Sequence, residues 1–167
     1  MEQMVKPAPL ERVERVTTGP PLVFLDTQVI LDYLRGKPAA VRLFDSEAAN
    51  RLRLAINPIV AQELLLSADD AVRPALGKIV ERMKMLPVDF AKVEKMVSEA
   101  ARALQALPAE SPRLKKRLAH SNDFIILSSA DECDFLVTYD DQLKDLAVGL
   151  RPEVVTPKEL IARLGTG

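Results

Sequence analysis

Four short apolar segments of this chain carry or run into an acidic residue. The four acids are Asp26, Glu63, Asp123 and Asp140. Because the carboxyl ends of parallel strands meet at one edge of a sheet, acids in such positions can be gathered into one cluster. Clustered carboxylates raise one another's pKa unless a cation neutralises them. The usual cation is hard and divalent, Mg²⁺ or Mn²⁺, so the pattern predicts metal-assisted chemistry on a phosphate-bearing substrate.

Strand-like and helical segments alternate along the chain. Strands are predicted at Leu22–Asp26, Leu52–Ile56, Asp134–Thr138 and Val154–Val155, with helices between them and a last helix at Pro157–Leu164. The region from about 70 to 118 is charged and amphipathic and is predicted to be helical, with a break at Pro108–Pro112. This alternation predicts an α/β fold of three layers, an α/β/α sandwich with a mostly parallel central sheet.

The bulk composition limits the function classes. Twenty-three basic residues face 24 acidic ones for a net charge of −1, so a strongly basic nucleic-acid coat protein is excluded. The single cysteine, Cys133, cannot form an intramolecular disulfide. No apolar run reaches the roughly 18 residues of a membrane span, and residues 1–20 lack the apolar core of a signal peptide. We therefore expect a cytoplasmic protein with a poorly ordered leader at 1–20 and one domain at 21–167.

Each acid also has a purely structural interpretation. Glu63 and Asp123 are predicted near helix starts, where the helix dipole stabilises negative charge without a metal. Acids at strand ends, such as Asp26 and Asp140, are common too. The functional signal is therefore the joint order and spacing of the four.

Four segments around these acids resemble the acidic motifs of PIN domains. They read LVFLDTQVILDYL at 22–34, INPIVAQELL at 56–65, NDFIILSSA at 122–130 and FLVTYDDQL at 135–143. PIN domains are small ribonucleases that include the VapC-type toxins of toxin–antitoxin pairs. The resemblance extends over about residues 22–160.

The resemblance implies a parallel sheet of four or five strands and an endoribonuclease that requires Mg²⁺ or Mn²⁺. It places the catalytic acids at Asp26, Glu63, Asp123 and Asp140, with the metal held by Asp26, Asp123 and Asp140. Asp141 is an alternative fourth acid, because the Asp-Asp pair leaves the alignment ambiguous by one residue. The hydroxyl of Thr138 matches the small residue that precedes this acid in the family.

Two positions depart from the family pattern. Gln28 stands where most members have Asn or Ser, and its longer amide is expected to orient Asp26 less tightly. Phe124 stands where many toxins have alanine, next to the third acid. Gln28 therefore keeps a second hypothesis open, a catalytically weak or inactive PIN-like module that binds RNA or protein. Gln28 also removes the second aspartate that a haloacid-dehalogenase-type phosphatase needs.

Partners are predicted from local charge and from the resemblance. Basic residues on either side of the acids are expected either to contact RNA or to form a solvated helix face; they are Arg35, Lys37, Lys115, Lys116 and Arg117. The family implies a homodimer and a small antitoxin protein whose tail covers the acidic pocket. The helices predicted at 27–35 and 39–49 are where the family places such contacts.

Overall fold

The computed structural model describes residues 19–105, 122–147 and 151–165. In these residues one parallel sheet has the strand order β3-β2-β1-β4-β5. The strands are β1 (Leu22–Leu25), β2 (Arg53–Ile56), β3 (Lys84–Met85), β4 (Phe135–Val137) and β5 (Glu153–Val155). All four residues of β1 are buried, as expected for a central strand covered by helices on both faces. The three-layer α/β/α fold is confirmed.

The helices begin where the sequence carries local start signals. Pro38, Pro58 and Pro157 each occupy the first position of a helix, where proline's missing N–H costs no hydrogen bond. Among the described residues, no helix is long and apolar enough to cross a membrane. The helices are α1 (Thr27–Leu34), α2 (Pro38–Ala48), α3 (Pro58–Ser67), α4 (Arg73–Glu81), α5 (Phe90–Gln105), α6 (Asp123–Ala130), α7 (Asp141–Leu146) and α8 (Pro157–Leu164).

The expectation of a helical region from about 70 to 118 was wrong at one point. Lys84–Met85 form β3, which pairs in parallel with the end of β2. Two exposed residues at a sheet edge are too few to show the alternation of a strand, so their conformation depends on pairing with β2. Residues 106–118, like 1–18, lie outside the described part of the chain.

The order of the strands fixes where a site can form. From central β1 the chain builds β2 and β3 on one side, then returns to build β4 and β5 on the other. The carboxyl ends of β1 and β4 therefore flank the point where the winding direction reverses, which is the usual position of a binding crevice. The backbone N–H of Asp26 still donates to the carbonyl of Val137 at 3.0 Å, so the two strands are paired up to their ends.

Asn57 anchors the start of α3 and yields a stability prediction. Its Oδ1 accepts from the N–H of Val60 at 2.9 Å and its Nδ2 donates to Oγ of Ser129 at 3.1 Å, with no exposed surface. Asn57→Ala is expected to lower the free energy of unfolding by about 1–2 kcal/mol, because both the cap and a buried bond are lost. Urea unfolding measures it. Gln62→Ala on the exposed face of α3 is the control, expected within about 0.5 kcal/mol of the parent; an equal loss in both variants would contradict the prediction.

Candidate active site

Asp26 lies at the end of β1 and caps α1. Its Oδ1 accepts from the N–H of Thr27 at 2.8 Å, and its Oδ2 accepts from the hydroxyl of Thr138 at 2.6 Å. Burial raises the pKa of Asp26; the hydrogen bonds from Thr138 and Thr27 act to lower it, and the charges of Glu63 and Asp140 raise it further. Asp26 is thus a partly buried carboxyl whose charged form is less stable than that of a carboxyl in water.

Glu63 is tied to two elements other than its own helix, α3. Its Oε2 accepts from the hydroxyl of Thr27 at 2.6 Å, and its Oε1 accepts from the amide of Asn122 at 3.0 Å. Thr27 therefore contacts Asp26 through its backbone and Glu63 through its side chain.

Asp140 is joined to Asp26 through Thr138. The buried Thr138 hydroxyl donates to Asp26 and accepts from the backbone N–H of Asp140 at 3.0 Å. The carboxylate of Asp140 caps α7 by accepting from the N–H groups of Gln142 and Leu143, at 2.9 and 3.2 Å. Asp141, the alternative fourth acid, is the exposed first residue of α7.

Asp123 is the partly exposed first residue of α6. It follows Asn122, whose side-chain amide donates to Glu63. The start of α6 therefore lies beside Glu63. The structure thus brings Glu63 and Asp140 each within electrostatic range of Asp26 and places the start of α6 next to Glu63. The catalytic and metal-binding roles of all four acids stay predictions.

The carboxylate oxygens of the four acids suit a hard divalent cation, but the acids as placed do not form a complete metal site. The acids offer oxygen ligands alone, the type that Mg²⁺ and Mn²⁺ prefer. The charges of Glu63 and Asp140 repel that of Asp26 and raise its pKa, and a bound cation would offset this repulsion. Within the described ranges, however, no three His, Cys, Asp or Glu side chains form a group that could hold a metal ion.

A further carboxylate near the site, that of Asp32 on α1, was not predicted from the sequence to be functional. It is 3% exposed, and its Oδ1 accepts from the amide of Gln28 at 2.8 Å and lies 3.1 Å from Nζ of Lys37. Burial acts to raise the pKa of Asp32, but the hydrogen bonds from Gln28 and Lys37 and the charge of Lys37 outweigh it, so the pKa lies below its usual value.

The structure describes only two of the residues that were predicted to contact RNA. Arg35 is exposed directly after α1, and Lys37 is exposed but ion-paired with Asp32. Lys115, Lys116 and Arg117 lie outside the described residues.

Two polar residues of the site, Thr27 and Asn122, were not predicted from the sequence. Each stands one position from a predicted acid, and that adjacency is the signal that could have identified them.

Comparison with known proteins decides the family. A family model of the PIN domain matches residues 23–149. The chain belongs to the PIN-domain family. The resemblance predicted from the four acidic segments is confirmed, and no curated protein matches the chain.

Solved structures with this fold include VapBC2 from Rickettsia felis bound to a DNA fragment from their promoter, at 20% identity and a TM-score of 0.58, covering 81% of this chain and 98% of that one. VapBC-1 from nontypeable Haemophilus influenzae has 17% identity and a TM-score of 0.58, covering 82% and 98%. A toxin–antitoxin complex from Klebsiella pneumoniae has 19% identity and a TM-score of 0.54, covering 81% and 97%. At these identities the likeness establishes the fold.

Proposed function

We propose that this PIN-domain protein is an endoribonuclease that hydrolyses RNA with Mg²⁺ or Mn²⁺, and that it is the toxin of a toxin–antitoxin pair. The observation that carries the proposal is Asp26, a carboxyl at the switch point of the sheet whose pKa is raised by burial and by its neighbours Glu63 and Asp140. A fold retains such an arrangement at a cost in stability, which a bound cation would offset. Family membership supports the activity, since PIN domains are nucleases in general.

Asp26, Asp123 and Asp140 are the proposed ligands of the cation, with Glu63 as the further catalytic acid. When bound, the cation would activate a water molecule and polarise the scissile phosphate. Both oxygens of Asp26 accept a hydrogen bond in the free protein, and each carboxylate oxygen has a second acceptor site left for a ligand. Thr138 and Thr27 hold Asp26 and Glu63 in orientation, the task that supporting hydrogen bonds have around metal ligands.

Partners are proposed on the same basis. RNA would contact Arg35, Lys37, Lys115, Lys116 and Arg117 beside the acids. A small antitoxin protein and a homodimer are proposed because the fold is shared with proteins such as the Klebsiella pneumoniae toxin–antitoxin complex. An antitoxin would also keep a nuclease of this kind inactive until it is released.

A second candidate function is a PIN-like module that binds RNA or protein and cuts weakly or not at all. Two observations favour it. The described acids do not form a metal-holding group as they stand, and the amide of Gln28 is bonded to Asp32. Orientation of Asp26 by the amide of Gln28 therefore stays a prediction.

Cleavage of labelled total RNA by the purified protein tests the proposal. We expect cutting with Mg²⁺ or Mn²⁺, none with EDTA, and products with 5′-phosphate and 3′-hydroxyl ends. The hydroxyl end follows from water attack on the phosphate, because the leaving 3′ oxygen takes a proton. Calorimetric titration with Mn²⁺ supplies a readout independent of activity. A folded protein that neither binds Mn²⁺ nor cuts RNA would leave the binding module as the function.

A further inference from the structure

A groove between α2 and α8 has no role in the hydrolysis proposed above. Two cavities of about 270 and 400 Å³ lie along it, and both are lined by Arg42 and Ile161. The charged residues that line the two cavities are Arg42, Arg51, Lys158 and Asp45, three basic residues and one acid. The groove is therefore positively charged, in a chain whose net charge is −1.

Two of these basic side chains have no partner within the protein. Arg51 donates to the carbonyl of Leu164 and so ties the end of α8 to the residues after α2. Glu159, next to Lys158, is paired instead with Lys144 on α7 at 3.4 Å. In the part of the chain that the structure describes, Arg42 and Lys158 are exposed and their side chains take part in no ion pair or hydrogen bond. Each can bind an anion without breaking an existing bond.

The α8 side of the groove begins at the sheet edge that carries the acids. Thr138, whose hydroxyl donates to Asp26, also donates its backbone N–H to the carbonyl of Val155 at 3.1 Å, at the end of β5. Lys158 follows Val155 by three residues, in the first turn of α8. The Lys158 end of the groove is therefore close to the proposed active site.

The α2 side of the groove continues the basic residues already predicted to contact RNA. Arg35 and Lys37 lie between α1 and α2, and Pro38, the next residue, lines the same cavity as Lys158. Arg42 comes one helical turn after Pro38. Basic side chains therefore extend from the acidic edge of the sheet along both sides of the groove.

We propose that this groove holds the RNA strand on one side of the scissile site, with Arg42 and Lys158 contacting its phosphates. The inference rests on the proposed function and adds two RNA-binding residues to it. Guanidinium and ammonium groups form charge-assisted hydrogen bonds with phosphate oxygens. Such contacts position a nucleic acid without reading its sequence, so the groove would align the strand and leave the choice of sequence to other residues.

The lining of the groove suits a phosphate backbone better than a protein segment. Protein interfaces depend on a few large aromatic or apolar anchors. Of the large hydrophobic residues that are exposed in the described chain, such as Leu66 and Phe90, none lines the groove. Its apolar lining includes the small residues Ala39 and Ala162 and the half-buried Ile161. The unpaired cations are thus the main binding groups that the groove offers.

Binding of single-stranded RNA oligonucleotides to the Asp26→Asn protein at a series of NaCl concentrations tests the inference. The Asp26→Asn background measures binding without cleavage. Arg42→Gln and Lys158→Gln are each expected to reduce the slope of log Kd against log salt by about 0.7, the value for one phosphate contact on a single strand. For a contact that contributes nothing at about 1 M salt, this slope corresponds to about 8-fold weaker binding at ~50 mM NaCl and about 3-fold at ~200 mM. The loss should be equal for oligonucleotides of different sequence, and Arg42→Lys, which keeps the charge, should keep the slope.

Lys78→Gln is the matched control, because it removes an exposed positive charge from the last turn of α4, outside the groove. It is expected to bind RNA as the Asp26→Asn parent does. An equal loss in Lys78→Gln would show that only net charge matters and would overturn the inference. Parental RNA binding in both groove variants would overturn it too, and weaker binding of poly-L-glutamate by the same variants would then assign the groove to an acidic protein segment. No RNA binding by the parent would also overturn it, while cleavage of RNA by the unmutated protein decides the nuclease separately.

Discussion

Asp26→Asn is expected to abolish RNA cleavage and at the same time to make the free protein more stable. Loss of a proposed metal ligand should lower kcat/KM by about 10³-fold or more, beyond the roughly 10–100-fold that follows loss of a supporting residue. The same change removes a buried charge that Glu63 and Asp140 repel. We expect a rise in Tm of about 2–4 °C, which corresponds to about 1 kcal/mol in a protein of this size.

The pH dependence of this stabilisation has a defined sign. Because the pKa of Asp26 is raised in the folded state, the folded protein binds more protons than the unfolded one between the two pKa values. The stability of the unmutated protein therefore falls as pH rises through that interval. The advantage of Asp26→Asn should be full above the folded pKa and disappear below the unfolded pKa. Thermal unfolding of both proteins across this range, without metal, measures it; an advantage that does not change with pH would contradict the assignment.

A matched variant tests whether these effects depend on where the removed charge lies. Asp141→Asn removes a charge from the exposed residue next to Asp140. It is expected to keep cleavage within about 3-fold and Tm within about 1 °C, as surface changes usually do. Loss of cleavage in Asp141→Asn with retention in Asp140→Asn would show that Asp141 is the fourth acid.

Thr138→Val is expected to lower kcat/KM by about 10–100-fold while the fold is kept. The valine matches threonine in shape but cannot donate to Asp26 or accept from the N–H of Asp140, bonds of 2.6 and 3.0 Å. Since the Thr138 hydrogen bond acts to lower the pKa of Asp26, its loss should move the acidic limb of the pH–rate profile to higher pH. Steady-state kinetics across pH measures both effects.

Thr138→Ser supplies the control for this prediction. Serine keeps the hydroxyl and loses one methyl group in a buried position, so the pH profile should match that of the parent even if the stability falls. A profile unchanged in Thr138→Val would show that the hydroxyl does not set the protonation of Asp26.

The sequence predicted the architecture well because its signals are local. Strand ends that carry acids, prolines at helix starts and alternating element types all lie within a few residues of one another. α8 was placed at Pro157–Leu164 from its sequence, and the structure gives the same bounds. β3 was missed because two exposed residues have no pattern of their own and become a strand by pairing with β2.

For the site, the sequence by itself determined which residues are acidic and that they fall at strand ends and helix starts, and it thereby indicated the PIN family. The tertiary structure decided what these residues contact. Thr27 and Glu63 lie 36 positions apart, and Thr138 and Asp26 lie 112 apart, so no local pattern can reveal these bonds. Sheet order brings the ends of β1 and β4 together, and packing of α3 against α1 brings Glu63 to Thr27. Burial at that junction, a property of the whole fold, is what raises the pKa of Asp26.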